Sequence, residues 1–320
     1  MKVLITGING RIGQYVAKGL LAKGYEVLGI DIADNINSAL SECSYVKADI
    51  TNMSNLEETL KNYKIDQVVH LAALAHFSSN NITLEDFMKI NCEASLNVAK
   101  VAQMCGAKKF LFSSTVEVYG QTGELIVNEN TPCNPKTNYG KSKYEAEKKL
   151  SEYLSSVGVE YFVYRFTPVY LKEYTKDLDK RVLLPKGIGA YYFKDGNHKF
   201  SLCSVNNIVD SVVAFMEGKI QSGVYIVSDK QALTAKEIAI MKKDKGEAKR
   251  VIKMPYGLIY LGLSMLSWIL EKTGKAEKGL LINNLNKLVK PVCYDSLKIS
   301  KKVELKWNIE NTLYSNQQDD

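Results

Sequence analysis

Two residues able to handle a proton lie one helical turn apart in Tyr139-Gly140-Lys141-Ser142-Lys143, which presents a phenol and an ammonium on the same helix face. A second group able to do chemistry lies at the N-terminus, where Gly7-Ile8-Asn9-Gly10-Arg11-Ile12-Gly13 has the form G-x-x-G-x-x-G. Between the two lies a hydroxyl cluster, Ser113-Ser114-Thr115. A dinucleotide-phosphate cradle, a hydroxyl cluster and a Tyr-x-x-x-Lys pair, in that order, specify redox chemistry on a carbonyl or carbinol.

The glycine segment needs a strand before it and a helix after it, and the sequence supplies both. Lys2-Val3-Leu4-Ile5-Thr6 is a short apolar run that reads as a buried parallel strand. Ile12 to Lys23 then shows helical spacing through Ile12, Tyr15, Val16, Gly19 and Leu20. At such a junction the backbone N–H groups and the helix dipole face a pyrophosphate, and absent Cβ atoms let it approach. The next strand, Tyr25 to Ile30, ends at Asp31, where a carboxylate can accept from the ribose hydroxyls and repel a 2′-phosphate. That favours NAD over NADP. Asp34 competes for this role. After a third short strand, Tyr45 to Ala48, Asp49 and Ile50 are expected beside the adenine.

Further along, strand and helix patterns alternate. A helix over Met53 to Tyr63 precedes a strand over Gln67 to Leu71. A long helical stretch from Asn81 to Cys105 precedes a strand over Lys109 to Ser113, and a helix over Tyr139 to Val157 precedes a strand over Tyr161 to Arg165. Repeated right-handed βα units predict an α/β fold, a Rossmann doubly wound parallel sheet with ligands at the carboxyl ends of its strands. From about residue 167 the rhythm breaks at Pro168, Pro185, Gly187 and Gly189, while Leu202 to Val205 and Val224 to Val227 still read as strands. The expected division is an NAD-binding domain over 1–166, with 201–230 returning to it, and a smaller, interleaved substrate domain over most of 167–320.

Composition narrows the class. A chain of 320 residues has room for one full α/β domain and a smaller one. Its opening on a strand at residue 2 leaves no signal peptide, so a cytoplasmic enzyme is expected. The cysteines at 43, 92, 105, 133, 203 and 293 have no metal-ligand spacing and read as reduced packing residues, and three unclustered histidines argue against a metal site. The net charge of +7 is spread along the chain without an aromatic-interleaved basic stripe, which disfavours nucleic acid. Gly257 to Leu270 carries no charge but is too short to cross a membrane comfortably. A buried helix of the substrate domain is expected there. The alternative is a peripheral membrane or dimer contact, with Lys253, Lys272 and Lys275 meeting acidic lipid.

Several of these motifs recur in register in one family. The glycine motif, Asp31, His70-Leu71-Ala72-Ala73, Ser113 to Gly120 and Pro135 to Lys143 resemble the extended short-chain dehydrogenase/reductases. More narrowly, they resemble the NAD-dependent epimerase/dehydratase group that acts on nucleotide sugars. The match runs over roughly residues 1 to 230, with a weaker closing resemblance at Tyr294 to Ile299 and Leu305 to Trp307. The resemblance implies Tyr139 as acid/base, its pKa lowered by Lys143 together with a positive nicotinamide, and Lys143 holding the ribose hydroxyls. It implies Thr115 as the hydroxyl on the reacting oxygen, with Ser114 as its rival. It also places Gly7, Asn9, Gly10, Arg11, Ile12, Gly13, Asp31, Asp49, Ile50, Leu71, Ala72 and Ala73 around NAD.

Departures from the family pattern shape the substrate expectation. The family's 4,6-dehydratases carry an Asp-Glu pair after the Thr, whereas this chain has Val116-Glu117, which disfavours dehydration and leaves Glu117 to position a sugar. Pro168 stands where the family has an Asn in Arg-x-x-Asn. Lys180, Arg181, Lys186 and Lys199 are alternative partners for a diphosphate, and Lys186 and Lys199 are expected with Ser114 and Glu117 as substrate residues. Expected functions are a nucleotide-sugar epimerase working at C4, a 4-keto nucleotide-sugar reductase of surface-polysaccharide synthesis, or a non-catalytic NAD-binding scaffold. The intact Tyr139, Lys143 and Thr115 weigh against the last. A homodimer binding a nucleoside diphosphate sugar is expected.

Overall fold

The computed structural model describes residues 1–75, 82–120, 122, 124–273, 280–289 and 293–315. Asn81, where a helix was expected to begin, and Lys275 lie outside them. Seven strands form one parallel sheet: β1 (Lys2–Thr6), β2 (Glu26–Asp31), β3 (Ser44–Lys47), β4 (Gln67–His70), β5 (Lys109–Thr115), β6 (Glu160–Phe166) and β7 (Gly223–Val227). Their order is β7-β6-β5-β4-β1-β2-β3, so the direction of winding reverses beside β1. The crevice at that reversal, at the strands' carboxyl ends, is where a doubly wound sheet binds its ligand.

Alternation along the strands shows why the sheet is covered on both faces. Val3, Ile5, Val69, Leu111, Phe162 and Tyr164 enter one apolar cluster, with α1 (Arg11–Ala22) and α6 (Val205–Met216). Leu4, Val68, Phe110, Phe112 and Val163 enter the other, with α2 (Met53–Leu60), α3 (Ala94–Met104) and α4 (Asn138–Ser156). Each fully buried large apolar side chain contributes about 1.5–3 kcal/mol relative to exposure. The two clusters thus hold rigid the strand ends on which the site is built.

The later chain interleaves with this sheet. β7 joins its edge, and Ile299, Val303 and Leu305 pack into the α1–α6 core. A second, smaller core gathers Tyr170, Leu178, Val182, Phe200, Ile238 and Leu313 around α5 (Lys176–Val182) and α7 (Ala235–Asp244). A parallel pair, Ala190–Phe193 with Val251–Met254, carries a hairpin of α8 (Tyr256–Lys272) and α9 (Leu280–Val289), which packs on Tyr191 and Phe193.

Three expectations change. The long helix toward Cys105 is broken: a short helix, Leu84–Met88, passes through a π-helical turn, Lys89–Glu93, before α3 begins. The strand expected over Leu202 to Val205 contracts to Cys203–Ser204, because the Ser204 hydroxyl accepts from the Asn206 N–H (3.2 Å) and starts α6 at Val205. The charge-free segment forms a helix, yet of its 17 residues only Ser267 is buried. It lies on the surface and not in the core. Among the described residues, no helix is long and apolar enough to cross a membrane.

Candidate active site

Two caps fasten the end of β5 to the start of α4. Thr115 closes the strand, and its hydroxyl oxygen accepts from the Glu117 N–H (3.2 Å), opening a 3₁₀ turn over Val116–Tyr119. Thr137 caps α4 by accepting from the Gly140 N–H (3.0 Å), and its own O–H donates to Glu117 Oε2 (2.6 Å). Gly140 permits the approach: a Cβ there would lie 2.8 Å from the Glu117 carbonyl oxygen. Tyr139 therefore stands in the first turn of α4 with Glu117 beside it, its ring edge-on to Phe87 at 6.3 Å. Since Thr115 accepts from the backbone, its proton stays available for an oxygen in the cleft.

One turn further, Lys143 is 1% exposed, and its Nζ is buried without a hydrogen-bond partner, 4.3 Å from the centre of the Phe112 ring. Burial lowers its pKa to about 7, opposed by the charge of Glu147. Burial, and then the Glu117 carboxylate, push the Tyr139 phenol well above its ordinary value. In the protein alone the phenol is held up; the lowering implied by the family resemblance combines Lys143 with a positive nicotinamide. Lys143 is itself close to neutrality, and Glu117 acts in the opposite direction.

A polar chain beneath these residues fixes the backbone around them. Thr6 Oγ1 accepts from the N–H groups of Leu71 (3.2 Å) and Ala72 (3.1 Å), which leaves its O–H to donate to His70 Nδ1 (2.7 Å). His70 Nε2–H then donates to Ser95 Oγ (2.8 Å), and the Ser95 O–H donates to the Asn91 carbonyl (2.7 Å). Burial, reinforced by Lys143, lowers the His70 pKa to about 3, so this ring is neutral and holds one tautomer. Asn91, inside the π-helical turn, exchanges hydrogen bonds with both backbone groups of Leu74 and donates to Ser142 Oγ (3.0 Å). Ser142 in turn donates to the Tyr139 carbonyl (2.8 Å). Sequence reasoning missed Asn91 and Ser142, since isolated polar residues in helical stretches carry no spacing signal.

The cofactor pocket passes a steric test. A Cβ on Gly7 would lie 2.8 Å from the Ala72 nitrogen, and Gly7 also has a positive φ of 70°. On Gly13 it would meet the Gly7 carbonyl at 2.3 Å. Only glycine fits at either place, and α1 begins immediately at Arg11, past Asn9 and Gly10, with Ile12 in its first turn. Asp31 Oδ2 accepts from the Asn9 N–H (3.1 Å), placing the carboxylate at the rim of the glycine turn. Asp34 pairs instead with Lys47 at the surface. Asp49 Oδ1 holds the Thr51 N–H and hydroxyl (2.9 and 2.8 Å), and Ile50 is buried beneath it. Leu71, Ala72 and Ala73 line the end of β4, and the unpartnered Lys143 ammonium suits ribose hydroxyls. These residues fit NAD. Asp31→Ala is expected to reduce the preference for NAD over NADP by about tenfold or more, through loss of 2′-phosphate repulsion. Calorimetric titration of both cofactors measures it.

The expected substrate residues fall in different surroundings. The Ser114 hydroxyl donates to Glu147, which is also bound by Arg165 through Nε (3.0 Å) and Nη2 (2.6 Å), and Ser114 is only 3% exposed. It belongs to a buried ion-pair cluster beside the cleft, along with Tyr119, whose hydroxyl accepts from Arg165 Nη1 (2.8 Å). Strand alternation explains this: Ser114 and its register partner Arg165 share one face, and Thr115 points the other way. Lys186 is exposed on a turn at φ 61°, and Lys199 is exposed on a strand beside Glu237. Arg181, on α5, lies 5.1 Å over Phe200, donates to the Asp177 carbonyl (3.0 Å), and feels Glu117, Tyr191 and Tyr294 electrostatically. Burial lowers its pKa, so it is a desolvated guanidinium at the edge of the cleft. Val116 is packed with Val118, Tyr119 and Val127 and offers no acid.

Comparisons with known proteins agree with this geometry. The profile described as "NAD dependent epimerase/dehydratase family" matches residues 3–227. A UDP-glucose 4-epimerase from Vibrio cholerae is 30% identical over 246 residues, 74% of this chain and 73% of that protein. Other curated relatives match over about half of their own length. Among solved structures, a UDP-glucose 4-epimerase from Thermotoga maritima, crystallised with UDP-glucose, superposes with a TM-score of 0.75 at 23% identity, covering 98% of this chain and 96% of that one. A UDP-glucuronic acid 4-epimerase from Bacillus cereus in complex with NAD gives 0.70 at 21%, covering 97% and 92%. The chain therefore belongs to the NAD-dependent epimerase/dehydratase family, enzymes of the extended short-chain dehydrogenase/reductase type that use NAD.

Proposed function

We propose that this enzyme is an NAD-dependent nucleotide-sugar epimerase that inverts C4 of a nucleoside diphosphate hexose. Tyr139 moves the proton of the C4 hydroxyl, and Thr115 donates a hydrogen bond to the same oxygen. Lys143 holds the ribose hydroxyls, Glu117 orients the hexose, and Arg181 meets the diphosphate. Asn9, Gly10, Arg11 and Ile12 face the pyrophosphate through α1's N-terminus, Asp31 meets the ribose, and Asp49 with Ile50 borders the adenine. When bound, NAD supplies a hydride acceptor and then a hydride donor at C4. With Val116 beside Glu117, no carboxyl protonates a leaving hydroxyl, so we expect no 4-keto-6-deoxy product. The lobes divide as 1–166 with 201–230 for NAD and most of the remainder for the nucleoside diphosphate of the substrate, in a cytoplasmic homodimer.

One observation favours epimerase over reductase. Arg11, the first residue of α1 after the glycine turn, lies with its guanidinium 3.6 Å from the centre of the Tyr174 ring, and the Tyr15 hydroxyl donates to Glu173 Oε2 (2.7 Å). Two contacts thus clasp the cofactor loop to the segment after Tyr170. Such a clasp slows cofactor exit, which suits a reaction that regenerates its NAD within each turnover, whereas a reductase must exchange it. The test is whether purified protein keeps NAD through gel filtration and interconverts C4 epimers in a panel of UDP-, dTDP- and GDP-sugars followed by NMR. Tyr174→Ala should speed NAD loss by about two- to fivefold, the scale of one exposed cation–π contact. Protein that arrives without NAD and oxidises added NADH with a 4-keto sugar is a reductase, and the reading then fails.

A further inference from the structure

We propose that the outer face of α8 docks this enzyme on an anionic lipid bilayer, lying in the headgroup region without crossing it. The helix runs 17 residues, about 25 Å, and no charged residue occurs between Tyr256 and Leu270. Leu258 (71% exposed), Leu261 (54%), Met265 (59%), Trp268 (59%) and Ile269 (51%) fall at i, i+3, i+7, i+10 and i+11, on one face. The opposite face is already used: Ile259 and Leu263 pack with Tyr191, Phe193 and Leu285. The exposed stripe is therefore not a core face awaiting the rest of the fold.

Charge at the two ends selects the occupant. Lys253 is exposed two residues before the helix's capping Pro255, and Lys194 Nζ lies 4.8 Å from the centre of the Tyr256 ring. At the far end, Lys272 Nζ lies 4.1 Å from the Trp268 ring. The one acid in the last turn, Glu271, accepts from the Ser267 hydroxyl (2.6 Å) on the buried side. An apolar stripe bracketed by lysines, with an amphipathic indole at one end, matches acyl chains below anionic headgroups. A second copy fits poorly. Parallel or antiparallel, two such helices set lysine against lysine at both ends, whereas anionic lipid neutralises every one. The hairpin packs on Tyr191, whose hydroxyl donates to the Lys180 carbonyl (3.0 Å) next to Arg181. Docking would thus hold the lobe that carries Arg181 at the bilayer.

The test uses the full chain with NAD and two kinds of vesicle, phosphatidylcholine alone and phosphatidylcholine with phosphatidylglycerol. Wild type should co-sediment with the anionic vesicles, bind them less as salt is raised, and bind the neutral ones several-fold less. Leu261→Glu with Met265→Glu should weaken binding at least about tenfold, with the melting temperature and NAD affinity unchanged. Lys253→Glu with Lys272→Glu should do the same while leaving the apolar stripe intact, so a folding defect in the first variant would not hide the answer. In a Trp307→Phe background, Trp268 emission should shift blue on vesicles and be quenched by brominated acyl chains. Absence of binding at low salt overturns the proposal, as does binding unaffected by both variants. A wild-type oligomer that Leu261→Glu with Met265→Glu splits, without vesicle binding, assigns the face to a second copy instead.

Discussion

Replacing Tyr139 with phenylalanine is expected to lower turnover by at least about 10²-fold, the usual scale of general acid–base catalysis. The ring is retained, so its edge contact with Phe87 and the backbone bond from Ser142 survive, and NAD affinity should stay within about twofold. Burial and Glu117 both raise the pKa of this phenol, which makes it a competent acid and a reluctant base in the protein alone. The proton-accepting form must then be stabilised by positive charge brought close when the site is filled. Single-turnover hydride transfer, followed by the absorbance of the reduced cofactor, reads the chemical step apart from binding. Near-normal transfer in the Phe variant would mean that another group carries the proton, and the assignment of Tyr139 would fall.

How much of this was legible beforehand depends on whether a feature is local. The strand, glycine turn and helix at residues 2–22 are written in adjacent residues, and the structure has them within one position. The Tyr-x-x-x-Lys pair needs only a helix to bring its members together, and α4 supplies it. The buried Ser114–Glu147–Arg165 cluster was hidden because it depends on the register of β5 against β6, and so on which of two adjacent hydroxyls turns inward. Arg181 could not be ranked above Lys186 and Lys199 from charge alone, since only the packing of α5 beside Phe200 turns it toward Glu117. The α8 segment misled for a related reason. Hydropathy measures what a stretch would prefer to touch, and the chain does not fold enough of itself over that face.

Lys143→Met is expected to make the NAD-free protein more stable and the enzyme nearly inactive. The ammonium is 1% exposed, finds no hydrogen-bond partner, and has its pKa lowered from 10.5 to about 7 by burial. Its unfolded-state value is the ordinary one. Below pH 7 both states carry the proton, so the folded protein bears the full cost of burying the charge. Between pH 7 and 10.5 the unfolded chain binds more protons than the folded one, and stability contributed at this site rises with pH. Above 10.5 both are neutral and the cost is gone. A shift of this size corresponds to a few kcal/mol, on the order of 1.4 kcal/mol per pH unit. Methionine fills a similar volume without a charge, so the gain in melting temperature should be largest at pH 6 and should shrink toward pH 10. Turnover should fall by at least about 10²-fold and NAD should bind at least about tenfold more weakly, because one ammonium serves both the phenol and the ribose. Thermal melts across pH, paired with calorimetric NAD titration, check both halves. A Met variant that is less stable at pH 6 would show that the lysine is held by a favourable contact and not merely tolerated. One that binds NAD normally would remove Lys143 from the cofactor site.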